Sequence, residues 1–167
     1  NDSYYIGRRK SKALKYRFGR RADEVIRAVE KFKTGNITSV LDVGTADGQV
    51  LNIIRNKLKT KDNVGIEINK QLYQLAKKDY PDLDIRLGDC QAAENFSDDE
   101  KFDLVIATAV IEHIEDPKQF LKMISNKMNP GALIIITAPD PFWEHVATLV
   151  GHLDEELHYE IPNLKRL

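Results

Sequence analysis

The chain of 167 residues holds one cysteine, Cys90, so no disulfide can form within it, and a reducing, cytoplasmic setting is expected. It has no run of 18 apolar residues, which excludes a membrane-spanning helix. No signal-peptide pattern opens the sequence, and Asn1 in place of Met points to a trimmed product. Internal repeats and low-complexity stretches are missing too. Acidic residues are absent from one stretch: Arg8 to Arg21 carries eight basic side chains and no carboxylate. The 25 basic residues less these eight leave 17 against all 26 acidic ones, so the net −1 of the chain is a basic arm on a body of −9. Such an arm suits an anionic substrate, a nucleic acid or a membrane surface, or else is a solvated helix face that packs on the acidic body. What is present, 42% hydrophobic and 31% charged residues, suits one soluble globular domain with a packed core.

The most informative stretch is Val40-Leu41-Asp42-Val43-Gly44-Thr45-Ala46-Asp47-Gly48. An apolar strand meets an acidic residue and a Gly-x-x-x-Gly turn. A helix then runs over Gln49–Leu58, with Val50, Leu51, Ile53, Ile54 and Leu58 at helical spacing. Strand, glycine turn and helix start together let backbone approach a ligand closely. Asp42 argues against phosphate as that ligand, because a carboxylate repels it and attracts a cation.

Further strands follow. Val64–Ile68 holds Glu67, which lies 23 residues past Gly44, near the spacing at which an acidic residue takes ribose hydroxyls in nucleotide-binding α/β folds. Ile85–Leu87 leads into Gly88-Asp89-Cys90. Phe102–Ala107 precedes Val110-Ile111-Glu112-His113, and Met128-Asn129-Pro130-Gly131 leads into Ala132–Thr137. The alternation reads as strands over 39–43, 63–68, 84–88, 102–108 and 131–137. Helices are expected over 49–58, 70–80 and 117–128, with a weak segment at 91–98. Before the first strand, Ala22, Val25, Ile26, Val29 and Phe32 mark the apolar face of a helix. Near-continuous Val, Ile and Leu runs are expected of strands covered on both faces, and the alternation predicts parallel β-α-β units.

This series resembles the class I S-adenosylmethionine-dependent methyltransferases, and most of all the small-molecule branch that includes the ubiquinone and menaquinone biosynthesis enzymes. The resemblance covers roughly Ser39 to Pro139. Ala46 stands where that family often has its middle glycine. It implies an α/β doubly wound parallel sheet of strand order 3-2-1-4-5, with a helix after each strand. The segments would be an N-terminal basic helical part over 1–36, an S-adenosylmethionine-binding core over 37–139 and a C-terminal cap over 140–167. The family's C-terminal antiparallel strands are not expected in this chain. The fifth strand is then left at an edge. Either that edge pairs with a second copy, giving a homodimer, or the chain is a fragment, as the stop at Leu167 within one helical turn of Pro162 suggests.

The resemblance also implies a cofactor, S-adenosyl-L-methionine, and a site formed by Asp42, Gly44, Thr45, Ala46, Gly48, Glu67, Ile68, Asp89, Cys90 and Thr108. Gly44 and Gly48 would line the methionine part, and Glu67 would take both ribose hydroxyls. Asp89 would accept from the adenine amino group, and Cys90 would offer its backbone N–H to the ring. Read without the family, Asp89 is a turn or cap residue and Cys90 a small packing residue. Glu112 and His113 are the candidate catalytic residues. Some relatives bind a metal here through Glu-x-x-Glu-His, but Ala109 holds the first position, so no metal is expected. His113 would act as a base, or the pair would make local turn and cap hydrogen bonds. Phe142, Trp143 and His145 fall where relatives place substrate loops, and Tyr4, Tyr5 and Tyr16 could cover the cofactor.

The function expected is methyl transfer to a small-molecule acceptor. A methyltransferase acting on RNA or protein, or a non-catalytic cofactor-binding module, is the alternative. Nucleic acid is not the expected partner, since Ala107-Thr108-Ala109-Val110 replaces the Asn/Asp-Pro-Pro-Tyr/Phe signature of base-amino methylation. A nicotinamide dehydrogenase is disfavoured because Gly44-x-x-x-Gly48 lacks the Gly-x-Gly-x-x-Gly spacing.

Overall fold

The computed structural model describes residues 11–33, 35–92, 95–97 and 99–138. Helix α1 spans Lys12–Phe32, followed by β1 (Ser39–Val43), α2 (Gln49–Leu58), β2 (Asp62–Glu67), α3 (Lys70–Asp79) and β3 (Asp84–Leu87). Then come β4 (Phe102–Thr108), a 3₁₀ turn (Ile111–His113), α4 (Pro117–Ser125) and β5 (Met128–Thr137). The five strands form one parallel sheet in the order β3-β2-β1-β4-β5, as expected. The chain order reverses direction beside β1, where the sheet passes from β2 on one side to β4 on the other.

Successive strand residues face opposite sides, and each side has its own core. Val40, Leu104 and Ile106 pack with Phe18, Ala22 and Val25 of α1, Leu51 and Ile54 of α2, and Ala76 of α3. Leu41, Val43, Val105 and Ala107 pack on the other side with Ile111, Phe120 and Ile124. Burying each large aliphatic or aromatic side chain stabilises the fold by about 1.5–3 kcal/mol, so both strand faces hold the sheet together. No helix among the described residues is long and apolar enough to cross a membrane.

Three expectations are corrected. The buried face of α1 is Phe18, Ala22, Val25 and Val29, whereas Phe32 is 62% exposed. Lys33 Nζ donates to Gly131 O at 2.8 Å, so the helix end has reached the margin of the sheet, and Lys31 lies over the Phe32 ring instead. Second, α4 ends at Ser125 and β5 starts at Met128 rather than Gly131. The Asn-Pro-Gly sequence is absorbed by an irregularity in the ladder: Phe102 pairs with Met128, but Leu104 already pairs with Leu133. Pro130 and Gly131, at φ 75°, occupy the extra residues, a usual place for both types. Third, between β3 and β4 no α-helix is found among the described residues, which form turns and a 3₁₀ position at Asn95. The segment holding Phe142, Trp143 and His145, the helix expected after β5, and Tyr4 and Tyr5 lie outside the described residues.

At the amino ends of the strands, Asp103 Oδ2 accepts from Thr38 N (2.8 Å), Thr38 Oγ1 (2.7 Å) and Ser39 N (3.2 Å), while Oδ1 accepts from Asn129 Nδ2 (2.8 Å). One carboxylate thus ties the starts of β1, β4 and β5. Partial burial pushes its pKa up, but these donors outweigh it and hold the group well below the usual carboxylate range.

Candidate active site

The turn after β1 is built by local bonds. Thr45 N donates to Ile66 O of β2 (3.0 Å), Thr45 Oγ1 donates to Asp42 Oδ2 (2.8 Å), and Gly48 N donates to Thr45 O (3.0 Å). Thr45 rests on Gly65 of β2. A Cβ placed at Gly65 would lie 2.7 Å from Thr45 Cγ2 and 2.8 Å from Ile85 Cδ1, so only glycine lets the turn seat there. Gly44, Ala46 and Gly48 all adopt positive φ, at 68°, 53° and 75°. Ala46 therefore holds a left-handed conformation with a Cβ, at a cost glycine would avoid.

Glu67 closes the turn from the neighbouring strand. Its Oε2 accepts from Ala46 N (2.8 Å) and its Oε1 from Asn69 N (2.7 Å), and the residue is 6% exposed. Asn69 itself caps α3 by accepting from Gln71 N and Leu72 N. The end of β2, the glycine turn and the start of α3 are thus locked to one another through a single carboxylate.

A cleft of about 440 Å³ opens above this point, at the carboxyl ends of the strands. Of the residues expected from sequence, Gly44, Glu67, Ile68, Asp89, Cys90 and His113 line it. The side chain of Ile68 is 70% exposed there, an unusual place for an isoleucine unless something flat covers it. Asp42, Thr45, Ala46 and Thr108 lie behind the wall, and Asp42, Thr45 and Thr108 are buried. Gly48 does not face the cleft. A Cβ there would meet Tyr80 Cδ2 at 3.1 Å and Ala76 Cβ at 3.3 Å, so this glycine serves its positive φ and the packing of α3 rather than ligand approach. Gly44 does face it, and a Cβ there would lie 2.6 Å from Val110 Cγ2 on the facing wall.

Two titrations are displaced. Burial pushes the Asp42 carboxyl up to about 7; the Thr45 hydroxyl pulls the other way and nearby Glu67 adds to the rise. Burial also pushes the Cys90 thiol up to about 12, with the charge of Asp89 contributing, so Cys90 stays a neutral thiol and not a nucleophile.

The 3₁₀ turn separates the two candidate catalytic residues. His113 is exposed on the cleft wall, with its N–H donating to Val110 O at 2.8 Å. Glu112 is 1% exposed and is not among the residues that line the cleft. The helix that follows is capped by Asp116, whose Oδ1 accepts from Gln119 N (3.0 Å) ahead of Pro117. Sequence reasoning missed Ile66, Leu72, Gly88, Gln91, Ala109, Val110 and Ile114 in the lining. Leu72 was legible in principle: it is an apolar residue in the first turn of α3, on the side nearest the strand ends.

Comparison with known proteins agrees with this architecture. The pattern of the methyltransferase domain matches residues 13–166, and the chain belongs to that family. Putative methyltransferase 235L of Invertebrate iridescent virus 6 is 26% identical over 133 residues, which are 80% of this chain and 49% of the viral protein. The mitochondrial ubiquinone biosynthesis O-methyltransferase of Dictyostelium discoideum is 36% identical over 58 residues, 34% of this chain and 18% of the relative. The chain thus spans about half the length of the first relative and less of the second. A SAM-dependent methyltransferase from Archaeoglobus fulgidus superposes with a TM-score of 0.71 at 18% identity, covering 98% of this chain and 69% of that one. That likeness shows the shared fold.

Proposed function

We propose that this member of the methyltransferase-domain family binds S-adenosyl-L-methionine in the cleft above β1 and β2 and directs its methyl group to a small-molecule acceptor. The observation that carries the reading is the anchoring of Glu67. A buried carboxylate, fixed by Ala46 N and Asn69 N, stands in a cleft of about 440 Å³ where the strand order reverses. That is where open α/β sheets bind ligands. The residues fit the cofactor: Gly44 lets Val110 close against the turn at the cleft wall, Glu67 can accept from a diol, and Ile68 offers an uncovered apolar face.

When bound, the sulfonium supplies an activated methyl group. The chain then has three tasks. Glu67, Gly44, Asp89 and Cys90 hold the donor in one orientation. Ile68, Val110 and Ile114 exclude water from the cleft. His113, exposed on the wall, can accept a proton from an acceptor that must lose one. Holding donor and acceptor in line contributes most, about 7–11 kcal/mol in well-oriented cases, and a positioned base adds roughly 10²–10⁴-fold. Glu67 at the cleft, and Asp42 behind it when ionised, place carboxylates near a cationic donor, which favours it over a phosphate-bearing nucleotide. The lone neutral Cys90 suits a cytoplasmic setting, and the β5 edge is the surface through which a second copy would pair.

Titration of the purified chain with S-adenosylmethionine, followed by a methyl-transfer screen over quinones, phenols, lipids and sugars, tests the reading. Saturable binding with turnover on one class supports it. Binding without transfer to any acceptor favours a cofactor-binding module, and no binding rejects the assignment of the cleft.

A further inference from the structure

The outer strand β3 carries an arginine that the proposed function does not use. Arg86 Nη1 and Nη2 donate to the two oxygens of Glu100 at 2.8 and 2.7 Å, and Nε and Nη2 donate to Asp84 Oδ2 at 3.0 and 2.6 Å. One further bond leaves this ion-pair group: Nη1 donates to the backbone oxygen of Asn95 at 2.8 Å. Asn95 in turn reaches back to the strand end. Its Nδ2 donates to Asp89 O at 2.6 Å and to Ala92 O at 3.4 Å. Gly88 makes room for it, since a Cβ there would lie 2.7 Å from Asn95 Cγ and Nδ2.

A trans peptide is planar, so its C=O and the following N–H point in opposite directions. Asp89 O is held on the side of Asn95 by that amide and by Ala92 N (3.0 Å). The N–H of Cys90 must then face the other way. Asp89 and Cys90 line the cleft and Asn95 does not. Arg86 fixes the backbone of Asn95 from behind, through a fork of charge-assisted bonds that a lysine could not reproduce.

From this geometry we infer that Asn95, braced by Arg86, is a positioning residue that aims the Cys90 N–H at a ring-nitrogen acceptor of the cofactor's base and so sets selectivity for that base. The inference rests on the reading of the cleft given above. It assigns to a turn between β3 and β4 the control of one hydrogen bond to a flat heterocycle, without itself touching the ligand.

The test compares S-adenosylhomocysteine with its 1-deaza analogue, in which a carbon replaces one ring nitrogen, by calorimetry on the full chain. Binding of S-adenosylhomocysteine by the unaltered protein checks the cleft itself. A preference for it over the analogue checks that a ring nitrogen is read. Asn95→Ala is expected to weaken S-adenosylhomocysteine about tenfold, the worth of one hydrogen bond, and to leave the analogue unchanged, so that the preference disappears. Arg86→Lys, a milder change at an outer strand, is expected to reduce the preference partway and keeps the test decisive should Asn95→Ala fold poorly. Equal weakening of both ligands would mean a merely structural role and overturn the inference, as would an unaltered preference in both variants. Absent binding to the unaltered protein would reject the cleft assignment and this inference with it.

Discussion

Replacing Asp42 by asparagine should stabilise this protein at neutral pH and do nothing for it at pH 4. The carboxyl is 2% exposed, and Thr45 Oγ1 is its hydrogen-bond donor at 2.8 Å, a bond that the asparagine oxygen can also accept. Desolvation raises its pKa from the ordinary 3.8 to about 7, against the pull of Thr45 and of the more distant Arg21 and with a push from Glu67. A raised carboxyl pKa means that the folded chain holds a proton the unfolded chain has already released. The associated stability is complete below about 3.8 and is lost as pH climbs to about 7. Each pH unit in that window counts about 1.4 kcal/mol, so the group costs the folded state roughly 4 kcal/mol by neutrality. Asparagine cannot ionise. Urea unfolding of both proteins from pH 4 to 8 should therefore show the variant gaining on the parent by a few kcal/mol, with most of the gain between pH 4 and 7. Binding should move oppositely: a cationic cofactor favours ionised Asp42, so parental affinity should rise from pH 5.5 to 7.5 while the variant stays flat and weaker. A stability difference that does not change with pH would refute the assignment of that desolvation to Asp42.

Three further outcomes are expected. Glu67→Ala should weaken S-adenosylmethionine binding by about 1.5–3 kcal/mol, since bonds to a charged group are lost; an unchanged calorimetric affinity would remove Glu67 from the site. Gly44→Val should abolish binding and lower the melting temperature, because its Cβ would meet Val110 Cγ2 at 2.6 Å and its φ of 68° disfavours a β-branched residue; a variant that still binds would contradict the steric reading. His113→Ala should cut turnover roughly 10²–10⁴-fold with cofactor affinity kept if His113 is the base, whereas Glu112→Ala should chiefly lower the melting temperature, as expected of a residue 1% exposed; normal turnover in the His113 variant would exclude that role.

Much of the sheet was legible because each central strand is a short apolar run bounded by a chemical break. The spans of β1, α2 and β4 were readable to the residue, since Val43-Gly44, Gly48-Gln49 and Thr108-Ala109 each change backbone conformation abruptly. The start of β5 was not legible. Asn129-Pro130-Gly131 has the composition of a turn, and only its pairing with β4 turns it into an irregular strand. Phe32 fits the helical period of α1 yet is exposed, because periodicity says nothing about where the covering sheet stops. The cleft residues at strand ends were found by position. Among those from helices and turns, Leu72 could have been found from its place in the first turn of α3, whereas Gln91 carries no local sign of a shared wall. The contrast between buried Glu112 and exposed His113 depends on a single 3₁₀ turn, whose rotation no spacing rule specifies.

The seat of Thr45 on Gly65 has a consequence for how this sequence can change. Residues 45 and 65 belong to different elements and lie 20 positions apart, yet they crowd one volume: a methyl group at 65 would lie 2.7 Å from Thr45 Cγ2. Neither can grow without displacing the other. Substitutions at the pair are therefore expected to be non-additive: a methyl group at 65 would also meet Thr45 Cβ at 2.9 Å and Ile85 Cδ1 at 2.8 Å, so a serine at 45 relieves only part of the crowding. Serine keeps the hydroxyl that reaches Asp42. The turn and the neighbouring strand thus form one heritable unit, and drift along the lineage should move them together or not at all.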